Sequence, residues 1–128
     1  MKQFLSAVSI LVADYDEAIN FYTDKLGFNL IDDIDLGSKR WVTVQPNGAC
    51  ESLIVLAQAS DEQQQASIGQ QGAGRVWLFL QTDDFYRDHQ VMLDKGIQFL
   101  EQPREEMYGI VAVFQDLYGN KWDLIQRF

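Results

Sequence analysis

The sequence predicts an α+β fold in which one βαβββ module occurs twice. Three observations point there. VSILVADYDEAINFYTDKLGF (residues 8–28) and LFLQTDDFYRDHQVMLDKGI (residues 78–97) follow one plan: an apolar strand-like run, an acidic residue (Asp14, Asp84), an amphipathic helical pattern, a closing glycine (Gly27, Gly96) and a new apolar run. The two copies are offset by about 70 residues, as expected of a duplicated supersecondary unit. Each copy is followed by short apolar runs divided by Gly, Pro and Asn, the punctuation of strands joined by turns. Module one is expected over about residues 1–58 and module two over about 75–128, with a linker near 59–74, all within a single domain.

The elements follow in order. Val8, Ile10 and Val12 alternate with Ala7, Ser9 and Leu11, the period of a strand with one buried face. Lys2 followed by an apolar run superficially resembles a signal peptide, but the run leads into a capped helix and supplies the first strand that the repeat requires. Asp14 is an N-cap, and Glu17 three residues on makes a capping-box pattern. Ala18, Phe21, Tyr22 and Leu26 recur at helical spacing before Gly27. Three strands are expected over 28–35, 40–45 and 51–57, the last two joined by a hairpin signalled by Asn47-Gly48. The polar, Gln-rich stretch 60–74 reads as a short surface helix and linker. In module two, a strand over 75–81 leads to a helix capped by Asp83 or Asp84, with Phe85, Val91 and Met92 or Leu93 apolar and Gly96 at its end. Strands over 97–101, 109–115 and 121–127 follow, with a charged loop at 102–108 and a turn at DLYGN (116–120).

Composition limits the function. An apolar fraction of 47% over 128 residues supports a packed core, and the single Cys50 excludes an intrachain disulfide. A net charge of −9 argues against nucleic acid or an anionic membrane as partner and is compatible with a cationic or neutral ligand. No apolar run is long enough to span a bilayer, and a cytoplasmic protein is expected.

Two stretches, LVADYDEAINFYTDKLGF (11–28) and FQDLYGNKWDLIQ (114–126), resemble the vicinal oxygen chelate superfamily of glyoxalases, bleomycin-resistance proteins and dioxygenases, and the resemblance covers essentially the whole chain. It implies a curved mixed sheet enclosing a cleft, and a homodimer. In metal-dependent relatives the first and last strands of each module supply His, Gln or Glu ligands. Those positions project onto Ala7 and Trp77, and onto Val55 and Asp123. Only Asp123 offers an oxygen donor, whereas a catalytic divalent site needs about three protein ligands, so no metal and no other cofactor is expected.

Strand alternation then gives the expected lining of the cleft. Ala7 and Ser9 face it if Val8, Ile10 and Val12 are core; Trp41 and Thr43 if Val42 and Val44 are core; Trp77 and Phe79 if Val76, Leu78 and Leu80 are core. Val55 and Asp123 complete the set, with Tyr108 on a bordering loop. Aromatic walls and one carboxylate suit an aromatic or cationic small molecule. The expected function is therefore metal-independent binding, such as sequestration of a drug. A glyoxalase-like lyase or isomerase, a dioxygenase-like enzyme, and an interaction protein with a vestigial cleft are the alternatives.

Other reactive side chains carry less. His89, among Arg87, Asp88 and Gln90, is expected on the solvent face of its helix, and Cys50 as an inert small residue. Glu101, Arg104, Glu105 and Glu106 surround Pro103 on what is expected to be a mobile loop whose acids attract a cationic ligand.

Overall fold

The computed structural model describes residues 1–48 and 51–128, so the expectation for Cys50 lies outside the described residues. The chain divides into two compact units, Met1–Ile68 and Gly69–Phe128, and the division falls within the expected linker.

In the first unit β1 (Ala7–Val12) leads to α1 (Tyr15–Asn20), then to β2 (Asn29–Asp35), β3 (Arg40–Gln45), β4 (Leu53–Gln58) and the short α2 (Glu62–Ser67). The sheet order is β1-β4-β3-β2, with β1 parallel to β4 and the other pairs antiparallel. Ile10 and Val12 are fully buried with Val42, Val44, Leu56, Ala18 and Tyr22, while Ser9, on the other side of β1, is exposed. Each large apolar side chain buried this way contributes about 1.5–3 kcal/mol.

Asp14 sits in extended conformation and its carboxylate accepts the Glu17 N–H at 2.9 Å, satisfying a donor that the first helical turn leaves open. The helix does not continue regularly to Leu26. Residues Phe21–Lys25 widen into a π turn, in which the Leu26 N–H donates to the Phe21 carbonyl at 3.1 Å. The wider turn accommodates Phe21 and Tyr22, consecutive yet both buried, edge to face at 5.3 Å. Arg40 ties the helix to the sheet edge, pairing with Asp16 at 2.9 Å and Asp33 at 2.8 Å over the Tyr15 ring. The β3–β4 connection spans residues 46–52, so Asn47-Gly48 does not form a two-residue hairpin.

The second unit repeats the plan with β5 (Val76–Gln81), α3 (Phe85–Asp94), β6 (Gln98–Phe99), β7 (Arg104–Glu106), β8 (Gly109–Gln115) and β9 (Lys121–Arg127). β5 runs parallel to β9, β9 pairs with β8, and both β6 and β7 pair with β8. Together β6 and β7 therefore stand where β2 stands in the first unit. Two expectations are corrected here. The strand expected over 97–101 shrinks to Gln98–Phe99, and the charged stretch expected as a loop contains β7, with Glu106 paired to Gly109 across a tight Met107–Tyr108 turn. A sheet edge tolerates charged residues that a central strand would exclude.

Asp84 caps α3 through the Arg87 N–H at 3.2 Å. The core of this unit gathers Phe85, Met92, Ile97, Ala112, Phe114, Trp122 and Leu124, with Phe114 stacked on Trp122 at 5.8 Å. Asp116 organises the DLYGN turn from a buried position: its carboxylate accepts the Tyr118 and Asn120 N–H groups, each at 2.9 Å, and the Asn120 side-chain amide at 2.8 Å. His89 is not a solvent-facing residue. Its half-buried ring stacks on Phe85 at 5.5 Å and meets the edge of Phe99 at 4.4 Å, and burial lowers its pKa.

Candidate ligand-binding site

Register decides which side chains share a face of the second sheet. On β9 the even positions turn to α3: Trp122 and Leu124 are buried, and the Gln126 side-chain oxygen accepts the Phe85 N–H at 2.7 Å. Asp123, Ile125 and Arg127 therefore lie on the opposite face. Phe79 of β5 is paired with Asp123 on one side, and Val113 of β8 on the other.

A recess of about 510 Å³ opens on this face. Asp123 and Ile125 form its floor, Phe79, Tyr108 and Phe128 its aromatic walls, and Met107 and Arg127 its margins. The Tyr108 carbonyl accepts the Phe128 N–H at 3.0 Å, so the β7–β8 turn and the end of β9 hold one wall together. Phe79 is 66% exposed and Tyr108 53%, much apolar surface for side chains that usually pack.

Asp123 is the chemical centre of the recess. Its Oδ1 is buried and has no hydrogen-bond partner. Burial raises its pKa; the Arg104 guanidinium opposes that shift and the Glu101 carboxylate adds to it. A buried acceptor without a donor costs about 1–3 kcal/mol, which a ligand that donates a hydrogen bond would recover.

Three of the charges on 101–106 are tied to one another, and part of the stretch expected as a mobile acidic edge is strand β7. Arg104 pairs with Glu101 at 3.0 Å and with Glu106 at 2.7 Å. The other oxygen of Glu101 accepts the Val113 N–H at 2.9 Å, filling the ladder position that the break between β6 and β7 leaves open.

Of the residues expected to line a cleft, the structure brings Phe79, Tyr108 and Asp123 together. Trp77 is not among the residues lining this recess. The β5–β9 register shifts between Val76 and Leu78, which makes Trp77 the extra residue of a bulge. Its Cβ lies so near Gly72 that a side chain there would approach within 2.8 Å. Ala7, Ser9, Trp41, Thr43 and Val55 belong to the first unit. There Ser9 pairs with Val55, Val55 with Thr43, and Thr43 with Asp32, forming one row across the sheet. Thr43, expected to face a cleft, is fully buried, and its hydroxyl donates to Asp32 at 2.7 Å. Ala7 lies two residues from Ser9 and is half-buried; Trp41, two residues from Thr43, is 39% exposed.

Sequence reasoning missed Met107, Ile125, Arg127 and Phe128. The resemblance placed Asp123 at the cleft, and alternation along the same strand would place Ile125 and Arg127 beside it, so those two were within reach. Nothing local marks Met107 or Phe128.

Ala7, Val55 and Trp77 supply no donor, and among the described residues no three His, Cys, Asp or Glu side chains converge. No helix among the described residues is long and apolar enough to cross a membrane.

A model of the Glyoxalase/Bleomycin resistance protein/Dioxygenase superfamily matches residues 4–124. A protein of Shewanella frigidimarina (strain NCIMB 400) is 52% identical over 128 residues, covering 98% of this chain and 95% of the relative. YurT of Bacillus subtilis (strain 168) is 30% identical over 124 residues, covering 93% of this chain and 95% of YurT. Among solved structures, UcmS2 matches with a TM-score of 0.86 at 30% identity, with 98% of each chain covered. TnmS3, an antibiotic binding protein from Streptomyces sp. CB03234, matches with a TM-score of 0.82 at 28% identity, covering 99% of this chain and 98% of TnmS3.

Proposed function

Because this chain belongs to the Glyoxalase/Bleomycin resistance protein/Dioxygenase superfamily, we propose that it binds an aromatic small molecule without a metal and sequesters it in the Phe79–Tyr108–Asp123 recess. The observation that carries this reading is the buried, unpartnered Oδ1 of Asp123 beneath exposed aromatic rings. An aromatic wall attracts a flat apolar body, and an unsatisfied acceptor fixes which edge of that body turns inward. The likeness to TnmS3, whose description is that of an antibiotic binding protein, supports the same reading.

The roles follow from chemistry. Phe79 and Tyr108 stack on the ligand and expel water from the floor over Ile125. Asp123 accepts a hydrogen bond from an amine, or pairs with it when both are charged. A carboxylate oxygen accepts from a neutral donor as well as from a cation.

A thermal-shift screen of planar aromatic amines, run in EDTA, tests the proposal. A ligand present at 100 times its Kd stabilises the protein by about 2.7 kcal/mol. Stabilisation that survives the chelator and is reduced in Phe79→Ala and Tyr108→Ala is the expected result. Binding that vanishes with EDTA and returns with a stoichiometric divalent ion would overturn metal independence.

A further inference from the structure

Along β9, Asp123, Ile125 and Arg127 occupy every second position on one open face, an acid, an apolar residue and a base in line. At about 3.4 Å per residue the two charged positions stand about 14 Å apart along the strand, too far to pair with each other. Each lacks a partner at its own end. Asp123 Oδ1 is buried without a hydrogen bond, and among the described residues no hydrogen bond or ion pair engages the Arg127 guanidinium.

The surroundings of the two ends differ. Asp123 has Phe79 beside it on β5. Arg127 is paired with Gly109, where an added Cβ would come within 2.2 Å of the Gln126 carbonyl oxygen. The residue directly across from Arg127 on β8 therefore contributes backbone and no side chain. Between the ends, Ile125 is a buried apolar floor next to the Tyr108 and Phe128 rings.

We propose that this ladder selects an elongated, two-ended ligand: a flat apolar body with a hydrogen-bond-donating amine or hydroxyl at the Asp123 end and a carboxylate at the Arg127 end. The inference rests on the recess being the ligand site and adds the ligand's polarity and length. An unsatisfied carboxyl oxygen selects a donor, and a free guanidinium fork selects a planar oxyanion, which it can hold through two parallel hydrogen bonds. An apolar floor between them disfavours a ligand polar at its centre, because that centre would lose its water without gaining a partner. Unlike an acid alone, the ladder discriminates against simple aromatic cations, which would set their unpaired end against Arg127.

Titration calorimetry with four probes tests it. These are 4′-aminobiphenyl-4-carboxylate, the one-ended biphenyl-4-carboxylate and 4-aminobiphenyl, and the shorter two-ended 4-aminobenzoate. The two-ended biphenyl is expected to bind at least tenfold more tightly than either one-ended compound, and 4-aminobenzoate to gain nothing from its second group. Asp123→Val, which installs the residue found at the matching position of the first unit, should erase the margin over biphenyl-4-carboxylate. Arg127→Gln should erase the margin over 4-aminobiphenyl, and Arg127→Lys should restore part of it. Equal binding of all three biphenyls, insensitive to Arg127→Gln but weakened by Phe79→Ala, would overturn the ladder and leave the recess reading standing. Absence of binding by every probe, with Phe79→Ala also silent in the broader amine screen, would remove both.

Discussion

The two units place corresponding rows of side chains on corresponding strands and give them opposite fates. In the first the row runs Ser9, Val55, Thr43, Asp32; in the second it runs Phe79, Asp123, Val113, with Glu101 reaching in at the break of the edge strand. Each row carries an edge carboxylate bonded to its third strand: Asp32 takes the Thr43 hydroxyl, and Glu101 takes the Val113 N–H. The first row is then complete, because Val55 asks for nothing. The second is not, because Asp123 replaces that valine and no side chain meets its buried oxygen. One scaffold thus holds a row whose polar groups close on each other and a row with one polar group open. The open row is where a ligand has something to contribute.

Exchanging the two residues breaks the comparison most directly. Val55→Asp puts a carboxylate into the half-buried apolar position of the first row and should destabilise by about 2 kcal/mol in urea unfolding at pH 7, the cost of a buried group without a partner. Asp123→Val should do the reverse at the same pH, raising stability by about 1 kcal/mol while losing amine binding. The gain should itself depend on pH. Asp123 holds its proton more tightly when folded than when unfolded, because burial raises its pKa above the ordinary value of 3.8. Its contribution therefore falls as pH rises from that value through the raised pKa, and Asp123→Val should gain nothing below it. A gain that persists unchanged at pH 3 would mean that packing, and not the carboxylate, sets the difference between the rows.

The closed pairs give a smaller effect. Thr43→Val leaves Asp32 without its hydroxyl donor and should cost about 1 kcal/mol, read as a lower urea midpoint, with no change in ligand affinity. On the ligand side, Phe79→Ala should weaken an aromatic probe by about 1 kcal/mol, roughly fivefold in Kd, while Trp77→Ala should leave that Kd in place. A larger loss at Trp77 would show that the bulge does not remove it from the site.

Much of this architecture was legible in the chain, and the gaps have a common cause. The cap Asp14, the closing glycines Gly27 and Gly96 and the buried Ile10 and Val12 of β1 are local signals that the structure repeats, and of the two candidate caps Asp83 and Asp84 it uses Asp84. Phe79 could be placed by strand alternation and Asp123 by the resemblance, and the two are paired across β5 and β9. Trp77 could not, since a bulge inserts one residue without changing composition and ends the alternation at that point. β7 escaped because Arg104, Glu105 and Glu106 look like loop residues until β8 supplies the ladder they pair with. The closed and open states of Asp32, Glu101 and Asp123 depend on partners 11 or more residues away or on none, and no local pattern encodes them.

His89 supplies the smallest and most selective contrast. Four residues separate it from Phe85, the spacing that puts two side chains on one helical face, so its burial between Phe85 and Phe99 follows from the helix itself. It is the chain's one histidine, so an imidazole titration reports on the second unit. Burial lowers its folded-state pKa below the ordinary 6.5, so the unfolded chain binds the proton first as pH falls. Its contribution to stability is therefore complete above about pH 6.5 and declines on acidification toward the lowered pKa. His89→Phe keeps an aromatic ring between Phe85 and Phe99 and removes the titrating group. Urea midpoints at pH 7.5 and pH 5.5 should draw closer together in the variant than in the parent protein. An unchanged gap would place the pH dependence on carboxylates, with the His89 ring serving only as packing.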